Sequence, residues 1–213
     1  MLMKRELLDF KQLIGHGYGD FVNTKKRYRV CKGSRGSKKS KTTALDIIRK
    51  LKKYPLSNAL CVRRYSNTLR DSVYSDLKWA ISKLKMEDEW VCTVSPMQMV
   101  NVYTDQKILF RGLDDGLKIT SISVEHGVLC FVWIEEAYEI SNEDDFNKLD
   151  MSIRGEVPDG YFKQITLTFN PWSATSWIKA RFFDTEDNDT FTKTTTWECN
   201  CLLYTSDAAD DLT

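Results

Sequence analysis

Seven consecutive apolar residues, running from Val128 to Ile134, constrain the fold of this chain more than any other segment. A strand with one face in water alternates apolar and polar side chains, whereas a strand covered on both faces is apolar throughout. The run is also far shorter than the roughly 20 apolar residues that a helix needs to cross a bilayer. It therefore predicts a central strand in a sheet that is covered on both faces.

Apolar runs of strand length alternate with amphipathic runs of helix length along the rest of the chain. This pattern is typical of an α/β fold with a mainly parallel sheet and helices on both faces. Strands are predicted at residues 28–32, 59–63, 107–110, 128–134, 164–169 and 191–196. Helices are predicted at residues 5–14, 40–53, 68–84, 143–153 and 176–183. Ser141 is expected to cap the fourth helix, because Asp144 follows it at the capping-box spacing.

The length of 213 residues and the 42% share of hydrophobic residues suit one large domain with a hydrophobic core. We expect this domain at residues 21–200, after an N-terminal helix and a flexible loop within residues 1–20. Residues 201–213 resemble the translation of a sequencing adapter, and we interpret them as an artefact without a folding role. The chain would then be the N-terminal part of a longer protein.

The chain lacks the cysteine and histidine patterns that several kinds of site require. The six cysteines form no C-x-x-C pair, and the only histidines, His16 and His126, lie far apart in the sequence. This disfavours disulfides, a zinc site and a histidine-dependent catalytic triad. The first residues lack the apolar stretch of a secretory signal, so we expect a cytosolic protein.

A strongly basic segment lies over residues 21–45, which contain nine Lys or Arg residues and no acid. Within it, residues 33–40 follow a predicted strand and precede a predicted helix, the position of a phosphate-binding loop. In the pattern G-x-x-x-x-G-K-[ST], the lysine reaches the β- and γ-phosphates and the hydroxyl holds magnesium. The predicted nucleotide-binding residues are Gly33, Ser34, Arg35, Gly36, Ser37, Lys38, Lys39 and Ser40. The alternative is a basic turn before a helix.

One position departs from this pattern, since Lys38 stands where the second glycine is expected. A Cβ atom there would strain the loop or displace the phosphates, and this would lower nucleotide affinity.

Polar side chains also follow two other predicted strands. Glu135 and Glu136 end the apolar run, where one carboxylate would orient magnesium and the next would polarise a water molecule for attack on the γ-phosphate. Asn170 follows the strand at 164–169 and could sense the γ-phosphate. Both features could instead be ordinary strand ends that begin solvated turns.

Taken together, these residues resemble the large subunit of tailed-phage terminases, the ATPase that pumps viral DNA into a preformed capsid. The likeness covers about residues 20–200. The segments that carry it are Gly33-Ser34-Arg35-Gly36-Ser37, Arg111-Gly112-Leu113-Asp114-Asp115, Trp133-Ile134-Glu135-Glu136-Ala137, Leu149-Asp150-Met151-Ser152-Ile153-Arg154-Gly155, Phe169-Asn170-Pro171-Trp172 and Trp177-Ile178-Lys179.

The resemblance implies a P-loop NTPase of the additional-strand, catalytic-glutamate type, with ATP and Mg²⁺ as cofactors. It implies Lys39 and Ser40 at the phosphate-loop positions, Glu135 as the magnesium acid, Glu136 as the catalytic acid and Asn170 as a coupling residue. Arg35 or Arg154 would neutralise charge at the γ-phosphate. Arg154 could equally be a cation at a helix end.

The resemblance also implies partners: double-stranded DNA, a portal protein, a small terminase subunit and further copies of the chain in a ring. The expected location is the host cytoplasm, transiently at the procapsid portal, with no membrane association. A nuclease domain of the family is expected to be missing, and with it DNA cleavage. Candidate DNA contacts are Lys25, Lys26, Lys50, Lys52, Lys53, Arg63, Arg64 and Arg70. A helicase-like ATPase and a catalytically silent nucleotide-binding fragment are the alternatives.

Overall fold

A computed structural model describes residues 10–114, 122–153, 155–171 and 176–199. These residues include the eight strands of a single sheet. The strands are β1 Tyr28–Gly33, β2 Ser57–Arg63, β3 Trp90–Val94, β4 Met97–Asn101, β5 Lys107–Gly112, β6 Val128–Glu135, β7 Gln164–Phe169 and β8 Thr190–Thr195. Their order across the sheet is β3-β4-β5-β2-β6-β7-β1-β8. Pairing is antiparallel only for β3 with β4 and for β4 with β5.

The helices are α1 Phe10–Leu13, α2 Gly19–Asn23, α3 Lys39–Lys53, α4 Ser75–Lys83, α5 Glu143–Ser152 and α6 Trp177–Phe182. A turn of π-helix, Arg70–Tyr74, leads into α4. Buried residues of α3 and α4 belong to one hydrophobic cluster, and those of α5 and α6 belong to a second. The helices therefore cover both faces of the sheet, as predicted. No helix among the described segments has the length and apolar character to span a bilayer.

Strand β6 lies near the middle of the sheet, between β2 and β7. Its side chains alternate between the two clusters: Phe131 and Trp133 join the first, and Val132 and Ile134 join the second. Each of these four side chains is at most 3% exposed. The apolar run thus reflects burial on both faces, which confirms the prediction of a central strand.

Strand β7 lies between β1 and β6 and pairs with both in parallel. The strand that precedes the predicted phosphate loop, β1, is therefore separated from β6, which leads into the two glutamates, by one additional strand. Because parallel strands end at the same edge of a sheet, the ends of β1, β6 and β7 are brought together there. This arrangement confirms the additional-strand α/β class.

Several predicted elements differ from the structure. The hairpin of β3 and β4 was not predicted, and the helix predicted over 68–84 is divided into the π-helical turn and α4. Asn142, not Ser141, caps α5: its side chain accepts a hydrogen bond from the backbone N–H of Asp145. Residues 5–9 of the predicted first helix and the interpreted artefact at 201–213 lie outside the described residues.

Two other expectations are corrected by burial. The segment from Gly15 to Gly19, expected to be a flexible loop, leads into α2 and contains Tyr18, which is fully buried. Lys50, a candidate DNA contact, is 4% exposed and paired with Asp46, so it cannot reach a DNA phosphate. Tyr28 donates a hydrogen bond to Asp150 at 2.8 Å, and its ring packs against Phe146 and Phe182.

Candidate functional site

The predicted phosphate loop connects the end of β1 to the start of α3. Gly33 is required by close packing, since a Cβ there would lie 2.0 Å from Thr195 Oγ1 and 2.5 Å from the Thr195 carbonyl oxygen. Gly36 has a φ of 76°, in the left-handed region that glycine adopts without penalty. A cavity of about 390 Å³ is lined by residues 36–41 and by Asp76 of α4.

Lys38, the residue at the expected glycine position, has φ 60° and ψ 11°. The left-handed conformation costs a residue with a Cβ roughly 1–2 kcal/mol. The loop thus keeps a glycine-like backbone despite the lysine. Within the described residues, no side chain caps α3 and its first turn has no acid. The backbone N–H groups in the first turn of α3 therefore remain available to an anion at this edge of the sheet.

Lys39 is the first residue of α3 and is 7% exposed. Its Nζ atom donates hydrogen bonds to the Ser34 carbonyl oxygen at 3.1 Å and to Asn170 Oδ1 at 2.5 Å. Burial lowers the pKa of Lys39, whereas the nearby charges of Glu136 and Glu135 oppose this change. The structure therefore brings together the three strand ends that the sequence singled out.

Glu135 is the last residue of β6 and is 8% exposed. Burial raises the pKa of Glu135 to about 7, with Arg63 acting in the opposite direction and Glu136 raising it further. Its Oε2 atom lies 3.3 Å from Arg63 Nε, and neither atom has a hydrogen-bond partner among the described residues. The cation that this buried carboxylate oxygen faces in the structure is Arg63.

Glu136 adopts a left-handed conformation, with φ 50° and ψ 49°, immediately before a 3₁₀ turn over Ala137–Glu139. Strained backbone of this kind in residues other than glycine clusters at functional sites. Its Oε2 atom is buried, and no described residue offers it a hydrogen bond. Glu136 therefore has the free acceptor that a base for water requires.

The other predicted site residues have different positions. Ser40 is half-buried and lines the cavity, and Arg35 is exposed. The charge of Arg35 is close enough to act on the pKa of Tyr138, two residues after Glu136, although burial is the main cause of the increase there. Arg154 lies outside the described residues.

Sequence reasoning missed the role of Arg63 at the end of β2. It was a candidate DNA contact, but its guanidinium faces Glu135 and donates to Glu139 Oε1 at 2.9 Å. Its side chain is 13% exposed and forms ion pairs with Glu135 and Glu139. The available signal was its position, since a charged residue that ends a predicted buried strand faces the same sheet edge as Glu135.

The donors at this edge suit magnesium. Mg²⁺ prefers oxygen ligands, and in nucleotide sites it takes one or two from protein and others from phosphates and water. The carboxylate of Glu135 and the hydroxyl of Ser40 belong to this class of donor. Nowhere in the described ranges do three His, Cys, Asp or Glu side chains form a metal cluster. The residues therefore fit a metal that arrives with a nucleotide, not one held by protein alone.

Comparisons with known proteins give a consistent result. Residues 25–210 match the family model described as phage terminase large subunit. The terminase large subunit of Bacillus phage SPP1 is 34% identical over 155 residues, which are 72% of this chain and 36% of that protein.

Two solved structures share the fold. The large terminase ATPase domain of Thermus phage P74-26 is 12% identical, with a TM-score of 0.67, over 89% of this chain and 86% of that one. The large terminase of thermophilic bacteriophage D6E in complex with ATP-gamma-S is 16% identical, with a TM-score of 0.64, over 84% of this chain and 41% of that one. The chain thus spans well under half of the SPP1 and D6E proteins.

Proposed function

The chain belongs to the phage terminase large subunit family, and on this premise we propose that its domain at residues 21–200 hydrolyses ATP to move double-stranded DNA into a procapsid. The observation that carries this proposal is the hydrogen bond from Lys39 to Asn170, beside Glu135 and Glu136. A nucleotide triphosphate has all the groups that these strand ends require: phosphate oxygens, a bound cation and a reacting water.

Each residue has a proposed role. The loop amides and Lys39 bind the phosphates, while residues 33–40 wrap around them. Glu136 accepts a proton from the attacking water as the bond to the γ-phosphate forms, and Asn170 positions Lys39 and senses the γ-phosphate. The reaction consumes one water and yields ADP and inorganic phosphate.

Ser40 and Glu135 would hold magnesium, which neutralises phosphate charge when it is bound. The Oε2 atom of Glu135, which accepts no hydrogen bond from the described residues, supports this assignment. Arg63 keeps a positive charge beside Glu135 and so favours its ionised form.

Arg35 is our first candidate for a cation that stabilises charge at the γ-phosphate, and Arg154 is the second. We place Arg35 first because it belongs to the loop and its charge acts on the pKa of Tyr138. Replacing each with alanine is expected to lower kcat while leaving ATP affinity unchanged. A loss confined to ATP binding would reject the role for that arginine.

The proposal extends to partners. The protein would work in a ring of subunits at a portal, with a small subunit that delivers DNA. It would reside in the host cytoplasm, and this part of the chain would not cut DNA. DNA contacts would be made through phosphates without reading sequence. Among the candidate contacts, Lys25, Lys26, Lys52, Lys53 and Arg70 are exposed, and Lys52 is paired with Glu89.

Phosphate release by the wild type and by Glu136→Gln tests the proposal. We expect turnover in the wild type and a decrease of about 100-fold or more in the variant, because general-base catalysis contributes roughly 10²–10⁴-fold. ATP affinity should be unchanged. Glu143→Gln, an exposed glutamate in the first turn of α5, is the matched control and should retain turnover. Binding of ATP without turnover in the wild type, even with DNA present, would contradict an ATPase and indicate a silent nucleotide-binding module.

A further inference from the structure

Tyr18 lies fully buried beneath the phosphate loop, although it is distant from it in sequence. Its hydroxyl donates a hydrogen bond to the Ser37 carbonyl oxygen at 2.9 Å. Its ring packs edge-on against Phe21, with 5.5 Å between centroids. A Cβ on Gly15 would lie 2.6 Å from two carbons of this ring, so glycine at position 15 is part of the arrangement.

The bond to Ser37 determines the orientation of the next amide. A trans peptide is planar, and its C=O and N–H groups point in opposite directions. Because the Ser37 carbonyl faces the buried Tyr18 hydroxyl, the N–H of Lys38 is directed away from the core. Burial raises the pKa of Tyr18 well above its usual range, so the hydroxyl keeps the proton that it donates.

Gly15, three residues before Tyr18, is connected through Thr42 to the carbonyl group of Lys38. The Lys38 carbonyl accepts a hydrogen bond from Thr42 N at 2.8 Å, within the first turn of α3. The hydroxyl of Thr42 in turn accepts one from Gly15 N at 3.1 Å. Residues 15–18 are thus hydrogen-bonded to Ser37, immediately before Lys38, and to Thr42, four residues after it.

We propose that Tyr18 is a positioning residue that holds the Ser37–Lys38 peptide in its left-handed turn and thereby compensates for lysine at the expected glycine position. With a Cβ present, the left-handed turn is unfavourable on its own and needs an external bond. With glycine at position 38 the turn would be adopted without penalty, and the Tyr18 hydroxyl would become nearly dispensable. The consequence for nucleotide binding rests on the proposed function; the coupling between Tyr18 and Lys38 does not.

A double-mutant cycle tests this inference. Tyr18→Phe removes the hydroxyl and keeps the ring, and Lys38→Gly removes the Cβ. We expect Tyr18→Phe to raise the Kd for ADP about fivefold, the loss of one hydrogen bond, and to raise it less than about twofold in the Lys38→Gly background. The control is Tyr161→Phe, which removes a hydroxyl that accepts a bond from Leu56 N at 3.2 Å, outside the loop.

The urea midpoint of unfolding is measured for the same proteins without nucleotide. Tyr18→Phe should lower this midpoint more in the wild-type background than in the Lys38→Gly background. An equal decrease in both backgrounds, or a Kd effect no larger than that of Tyr161→Phe, would overturn the inference. Failure of the wild type to bind ADP would instead refute the proposed function, and the stability cycle alone would then decide the role of Tyr18.

Discussion

Lys39 Nζ and Asn170 Oδ1 lie 2.5 Å apart and join the first residue of α3 to the residue that follows β7. The contact exists because β7 is inserted between β1 and β6. An amide oxygen accepts from the ammonium without a second negative charge, so the lysine stays available to phosphate. The strand end proposed to sense the nucleotide is therefore connected directly to the group proposed to bind it.

Lys39→Ala is expected to weaken ATP binding by roughly 10- to 100-fold, since hydrogen bonds to charged groups contribute about 1.5–3 kcal/mol. Titration of the protein with a fluorescent ATP analogue measures the effect. Lys148→Ala, which removes an exposed lysine of α5, is the control and should leave affinity unchanged. Unaltered affinity in Lys39→Ala would refute the role of the loop in phosphate binding.

Asn170→Ala separates positioning from binding. In this variant Lys39 keeps its charge and its bond to the Ser34 carbonyl, so ATP affinity should change by less than about threefold. Without the bond to Asn170 the Lys39 side chain is misplaced, and kcat should fall by about 10- to 100-fold. Steady-state phosphate release over a range of ATP concentrations gives both quantities. Asn188→Ala, in an exposed turn before β8, should behave as the wild type. An increase in KM with unchanged kcat would contradict a positioning role.

The sequence predicted the strands that lead to the candidate site better than it predicted the periphery of the sheet. Glu135 ends a strand whose apolar run is continuous, Lys39 and Asn170 come after two other predicted strands, and parallel strand ends must meet at one edge. Chain order does not determine which strand lies between two others, so the direct contact of Lys39 with Asn170 required the structure. The strands predicted at 28–32, 59–63 and 164–169 are confirmed with shifts of at most two residues.

The β3–β4 hairpin was missed although its residues carry strand signals. Residues 90–94 are rich in Trp, Val and Thr, and the turn contains Pro96. Trp90 and Met99 are buried while Val91 is 52% exposed, the alternation of a strand with one face in water. Position at the sheet edge weakened the apolar pattern by which the central strands were recognised.

Tyr18 and Arg63 show a different limit of sequence reasoning. Their partners are distant in sequence: Ser37 for Tyr18, and Glu135 and Glu139 for Arg63. A glycine-rich segment and a basic strand end suggested a flexible loop and a DNA contact. Only the tertiary arrangement reveals that both side chains support the candidate site from inside the protein.

Gly33→Ala tests the close packing at the start of the loop. The added Cβ would meet both the hydroxyl and the backbone carbonyl of Thr195, so the loop or β8 must move, at a cost of about 1–3 kcal/mol. Urea unfolding measures the loss. Thr195→Ala should not rescue the variant, because the carbonyl contact at 2.5 Å remains. Gly19→Ala, with open space around its Cα, is the control and should not be destabilised.

Asp46 of α3 is expected to make a large contribution to stability from a site remote from the nucleotide. Its side chain is fully buried and is paired with Arg29, Arg49 and Lys50. Asp46→Asn leaves the buried cations without their counter-charge, which typically costs about 3–5 kcal/mol. Urea unfolding at neutral pH should report a loss of this size. Asp105→Asn, an exposed residue with φ 55°, is the matched control and should be nearly neutral.

The pH dependence of stability provides an independent test of the same cluster. Burial raises the pKa of Asp46, but Lys50, Arg29 and Arg49 outweigh it and hold the pKa well below its usual range. Below about pH 4 the unfolded carboxyl takes up a proton while the folded one stays ionised, so the free energy of unfolding falls as the pH is lowered. Asp46→Asn should therefore lose less stability on acidification than the wild type does. Equal losses in both proteins would show that Asp46 does not carry the counter-charge of this cluster.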